Sequence, residues 1–139
     1  MSHGVVRLAS AALLAVGGLT LTVAQAQADD PVLHHVRYTV TAQSPTSAKI
    51  YYRDVDPPNW GDYSHNPYQF SPRAEADLGP GKSWTLDVML ADPAQWAMVT
   101  ASSGLSTTTP MFGCQLELDG RVVVTNNGPK GALCSIRTW

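Results

Sequence analysis

FGCQLELDGRVVVTNNGPKGALCSIRTW, residues 112–139, holds both cysteines of the chain and its clearest turn. Asp119-Gly120 lies between two apolar runs, and this pair suits the positive φ angles of a two-residue type I′ hairpin. A turn centred there opposes Leu118 to Arg121, Leu116 to Val123 and Cys114 to Thr125. Strand side chains alternate, so Cys114, Leu116 and Leu118 share an inward face, while Gln115 and Glu117 point outward. Asn127-Gly128 suggests a second hairpin, but Pro129 stands where a closing N–H is needed, which predicts a longer loop over 126–131. Beyond it, Ala132, Cys134 and Ile136 share one apolar face.

A simple meander would set the two cysteine strands on either side of the 121–125 strand. Their backbones would then lie roughly 9–10 Å apart, beyond the roughly 7 Å Cα separation a disulfide can span. The final strand must cross to a facing sheet or return on the other side of the Cys114 strand. Two inward-pointing cysteines favour the facing sheet, and with it a buried bridge across an immunoglobulin-like β-sandwich.

Upstream, the chain opens with Arg7, an uncharged run over 8–24 and Ala26-Gln27-Ala28. That is the three-part pattern of a secretory signal peptide, so cleavage after Ala28 is expected, an uncleaved membrane anchor being the competing reading. The chain has 139 residues, 9 Lys+Arg and 11 Asp+Glu. Losing 1–28 removes Arg7 alone among the charges and leaves one domain's length, 29–139. Its acidic balance without a basic cluster argues against nucleic acid or an anionic membrane surface as partner. Two cysteines in an exported chain imply one disulfide and a location that is secreted or in the cell envelope.

Alternation predicts strands over 33–41, 47–55, 73–78, 83–90 and 95–102 before the cysteine stretch, about eight in all, with Trp84 in the core. Between the second and third lies DPPNWGDYSHNPYQFSP, residues 56–72, in which four prolines interrupt every period. It reads as a long loop. Its aromatic residues, Trp60, Tyr63, Tyr68 and Phe70, with His65, either cap an open sheet edge or form a recognition surface.

Catalytic signatures are missing: there is no G-x-S-x-G, no H-E-x-x-H and no glycine-rich phosphate loop. Asp54 and Asp56 share a side of an extended chain but stand where turn formers stand. His34 and His35 point to opposite strand faces and cannot chelate one ion together, which leaves one of them with His65 as the metal option. The residues therefore identify no enzyme and no cofactor.

C-x-L-x-L-D-G at 114–120, the valines at 122–124 and the second cysteine after a glycine-containing loop resemble the mycobacterial small membrane protein family, MmpS. V-R-Y-T-V at 36–40, I-Y-Y at 50–52 and W-T-L at 84–86 do so too. The resemblance implies a small β-sandwich outside the inner membrane that assists RND-type transporters in exporting siderophores or lipids. It carries over Cys114 and Cys134 as the disulfide and Asp119-Gly120 as its hairpin turn. The expected function is thus a non-enzymatic exported accessory or binding domain of an actinobacterial cell envelope. Its partner would be an envelope protein or an amphiphilic small molecule, met through 56–72. A secreted small-ligand or metal carrier is the alternative.

Overall fold

Eight strands form where turn residues punctuate the alternation, in a computed structural model that describes residues 17, 30–105 and 107–138. The expected leader over 1–28 and its cleavage site lie, Gly17 apart, outside the described residues. β1 (His34–Ala42), β4 (Trp84–Leu90), β6 (Phe112–Leu118) and β7 (Arg121–Gly128) make one antiparallel sheet, in the order β4-β1-β6-β7. β2 (Thr46–Tyr52), β3 (Arg73–Leu78), β5 (Met98–Ser102) and β8 (Gly131–Ser135) make the other, in the order β3-β2-β5-β8. These strands belong to a compact unit spanning Pro31–Trp139.

The core is the sum of the inward alternations. Val36, Tyr38 and Val40 of β1 and Phe112, Cys114 and Leu116 of β6 face Ala48 and Ile50 of β2, Val99 and Ala101 of β5, and Cys134 of β8. The expected all-β sandwich with a buried disulfide is the fold of this chain. Cys114 and Cys134 join the two sheets with a Cα separation of 6.0 Å across 20 residues of sequence. On the chain-entropy estimate such a closure contributes roughly 3 kcal/mol. β7 and β8 are consecutive yet belong to different sheets, so the meander is excluded.

Four local expectations need correction. Asp119 and Gly120 have the positive φ of the predicted turn, 49° and 83°, and Leu118 opposes Arg121. A bulge at Val123 then shifts the register, so that Leu116 faces Val124 and Cys114 faces Asn126. The extra residue turns Val124 onto the core and leaves Val122 and Val123 exposed. The loop expected over 126–131 shrinks to Pro129 and Lys130, because β7 runs on to Gly128. The strand expected over 95–102 begins only at Met98, after a one-turn helix α2 (Pro93–Trp96) capped by the Asp92 carboxylate. Trp84 is half-buried and lies on Tyr52, ring centroids 5.6 Å apart, at the margin of the core.

Residues 56–72, read as a loop without structure of its own, carry a short helix α1 (Trp60–His65) and a 3₁₀ turn (Pro67–Phe70). Asn59 caps α1, its side-chain oxygen accepting from the Asp62 N–H at 2.8 Å. Pro67 opens the 3₁₀ turn, where a missing N–H costs nothing. At the front of the segment the Asp56 carboxylate accepts from the N–H groups of Ala91 and Asp92, at 2.7 and 2.8 Å. Asp56 is thus a turn anchor, as its position suggested.

Candidate functional site

The site is built around an arginine that sequence reasoning passed over. Alternation along β2 turns Ile50 and Tyr52 inward and Tyr51 outward; Arg53, the next residue of outward parity, is nevertheless 0% exposed. The segment 60–71 covers it. Its Nε donates to the carbonyl of Trp96 at 3.1 Å, and one terminal nitrogen donates to the Phe70 carbonyl and the Ser71 hydroxyl at 3.4 and 3.2 Å. The other donates to the Tyr63 hydroxyl at 3.1 Å. The planar guanidinium also lies over the Tyr63 ring, 4.3 Å from its centroid, and near that of Trp96, 5.8 Å away. A buried cation demands such partners, so the segment folds down to supply them.

Aromatic stacking completes the clamp. Trp60 lies on Trp96 with centroids 6.2 Å apart and against Tyr63 at 5.4 Å, and the guanidinium of Arg137 lies over its ring, 4.1 Å from the centroid. α1 buries no residue of its own. These stacks and the Asn59 cap hold it in place of a conventional apolar face.

Between the clamped segment and the outer face of the β3-β2-β5-β8 sheet lies an open cleft of ≈ 340 Å³. Tyr68 and Pro67 form one wall; Tyr51 of β2 and its cross-strand partner Thr100 of β5 form the other. Met98, Tyr63 and Ser71 complete its lining. The rings of Tyr51 and Tyr68 are 6.4 Å apart and tilted by 59°, and Tyr68 is 77% exposed.

The five residues expected to bind are therefore not one surface. Tyr63 and Trp60 turn into the clamp, although Trp60 keeps 43% of its surface in solvent. Phe70 contributes its backbone carbonyl to Arg53. His65 ends α1, exposed and not among the cleft-lining residues. Only Tyr68 and Tyr63 reach the cleft. Tyr51 and Thr100 were missed, and the available signal was an aromatic residue on a strand face whose other outward members are Ser47 and Lys49.

On the opposite sheet, each of the two adjacent histidines meets an aspartate. His34 Nδ1 lies 2.8 Å from Asp119 and His35 Nε2 lies 2.9 Å from Asp87, which also accepts from Arg37 Nε at 2.7 Å. Arg37, hydrogen-bonded to it, holds the Asp87 carboxyl below its ordinary range. The His34 ring and then the His35 N–H do the same for Asp119. Among the described residues no three His, Cys, Asp or Glu side chains gather as ligands for a metal ion.

A family model described as the Rv2576c beta-sandwich domain matches residues 38–134. Rv2576c of Mycobacterium tuberculosis strain H37Rv and Mb2606c of Mycobacterium bovis are both 38% identical to this chain over 125 residues. The match covers 90% of the chain and 79% of each relative. These findings overturn the MmpS resemblance, and the RND-transporter role loses the support that it drew from it. C-x-L-x-L-D-G misled because a disulfide-bearing hairpin in many sandwiches needs that pattern: inward residues at every second position, then a type I′ turn.

Proposed function

We propose that this chain, which belongs to the Rv2576c beta-sandwich domain family, is a non-enzymatic binding domain of the actinobacterial cell envelope. It acts outside the cytoplasmic membrane and holds a small amphiphilic molecule in the cleft between Tyr68 and Tyr51. The disulfide and the apolar leader pattern over 8–24 support the location, because disulfides persist in oxidising compartments.

One observation carries the reading: Tyr68 stands 77% exposed on a segment that Arg53 and the Trp60 stack hold rigid. A large exposed aromatic ring on a tethered segment suits contact, since the segment has little loop entropy left to lose and a tyrosine ring has only two torsions to fix. The described lining residues include no carboxylate, imidazole or thiol that would act as base or nucleophile. The chemistry offered is recognition by ring faces and hydroxyl groups.

The test is an amide-shift NMR titration against small neutral, anionic and zwitterionic amphiphiles. Shifts clustered at Tyr51, Tyr68 and Thr100, and abolished by Tyr68→Ala, are expected. A panel that leaves these amides unmoved, or moves them equally in the variant, overturns the reading.

A further inference from the structure

We infer that the ligand of this cleft is an uncharged pyranose ring, the sugar unit of a polysaccharide or of a glycolipid headgroup. The inference rests on the cleft just proposed as the binding site and assigns it the sugar end of an amphiphile, or a sugar alone, in place of an acyl chain.

The walls decide the chemistry. Tyr51, Tyr63, Tyr68, Ser71 and Thr100 all bear hydroxyl groups, and among the described lining residues aliphatic surface is confined to Met98, Pro67 and the Thr100 methyl. An acyl chain needs a continuous aliphatic wall, which these residues do not supply. A pyranose ring has a different need. Its axial C–H groups form an apolar, weakly positive patch that suits the negative face of an aromatic ring. Its equatorial hydroxyls radiate from the rim and require donors and acceptors around them.

Tyr51 and Tyr68 meet those requirements together. Their rings, 6.4 Å apart and inclined by 59°, form a corner, with the exposed Tyr68 as the stacking face. The Thr100 hydroxyl, adjacent to Tyr51 across the β2–β5 pair, stands where the ring's edge would come. The volume of ≈ 340 Å³ is at the small end of the roughly 300–1,000 Å³ seen for ligand pockets, which suits one ring better than an extended chain.

Charge excludes the nearest competitors. None of the described lining residues is cationic or anionic. Arg73, opposite Tyr51 on β3 and hydrogen-bonded to it, has its guanidinium paired with Glu75, and Arg53 is fully buried beneath Tyr63 with its donors directed at the clamped segment and the Trp96 carbonyl. Among the described lining residues a phosphate or carboxylate ligand would find no cation, and the nearby Arg73 already shares its charge with Glu75.

The experiment titrates the folded domain with methyl glucopyranoside, methyl mannopyranoside, octyl glucoside below its micellar concentration, glucuronate and decanoate, read by amide NMR shifts. Millimolar binding of one or more neutral glycosides is expected, with shifts at Tyr51, Tyr68 and Thr100. Tyr68→Ala should weaken it at least about tenfold and Tyr68→Phe, which keeps the ring face, by less than about threefold. Equal affinity for methyl and octyl glucoside identifies the ring alone, as in a polysaccharide. A gain of about tenfold or more with the alkyl chain identifies a glycolipid source; both outcomes support the inference. Decanoate or glucuronate shifting these amides while every neutral glycoside is silent overturns it and leaves the binding role standing, whereas silence from all five ligands overturns both. If Tyr68→Ala loses the folded spectrum, Tyr68→Phe and Thr100→Val decide. Unchanged glycoside affinity in Thr100→Val, together with loss in Tyr68→Phe, contradicts stacking on the ring face.

Discussion

The phenol of Tyr38, on the inner strand β1 of one sheet, donates at 2.7 Å to the backbone carbonyl of Arg53, just beyond the end of β2 in the other. The same oxygen accepts from the Met98 N–H at 3.3 Å at the start of β5. One buried hydroxyl therefore ties the first sheet to the two strand ends that carry the cleft. Burial raises the Tyr38 pKa well above that of an ordinary phenol, keeping the donor proton in place.

Tyr38→Phe keeps the ring in the core but leaves a buried carbonyl and a buried N–H without this partner. The expected loss is about 1–3 kcal/mol. Urea unfolding should show a lower midpoint at an unchanged slope. A midpoint equal to that of the wild type would mean the hydroxyl bridge contributes nothing.

Arg53→Met preserves much of the side-chain length and removes the donors that hold the Phe70 carbonyl, Ser71 and Tyr63. A cost of about 2–4 kcal/mol is expected, because several acceptors lose charge-assisted partners at once. The diagnostic measurement is hydrogen exchange. Protection should fall across 60–71 while β1 and β6 keep theirs; uniform loss over the whole domain would contradict the clamp.

Gly128 closes the corner at which the chain leaves one sheet for the other. A Cβ placed there would lie 2.1 Å from the carbonyl oxygen of Gly131, a backbone atom that cannot rotate away. Gly128→Ala should lower stability by about 2 kcal/mol or more. A melting temperature within error of the wild type would show that the corner has room.

Acid should weaken the β1–β4 and β1–β6 faces. The Asp87 and Asp119 carboxyls have folded pKa values below those of the unfolded chain. Their contribution is complete above the unfolded value of about 4 and is lost as the pH falls through the lower folded values. The urea midpoint should therefore drop on the acid side of about pH 4, less steeply in Asp87→Asn. Because both carboxylates are about half exposed, added salt should shrink this contribution. A pH profile unaffected by either change would rule these pairs out.

Legibility followed the range of the interaction. Asp119-Gly120 and the inward cysteines were readable because turn chemistry and alternation act between near neighbours. The bulge at Val123 was not, since one extra residue in a run of three valines leaves the pattern unchanged. Asn59 and Asp62 carried a helix-start signal, but four prolines and a helix of six residues hid it. Trp60 and Tyr68 were singled out together, yet one faces the clamp and the other the cleft. Sequence spacing cannot separate them where the backbone changes direction at Asn66.

By itself the sequence determined the sandwich, its hairpin and the need for the disulfide to cross the core, because strand spacing and side-chain parity leave few ways to join Cys114 to Cys134. Only the tertiary structure decided where a ligand could sit. Burying the Arg53 guanidinium requires acceptors that β2 lacks, and the segment that folds over to provide them creates the cleft against Tyr51 and Thr100.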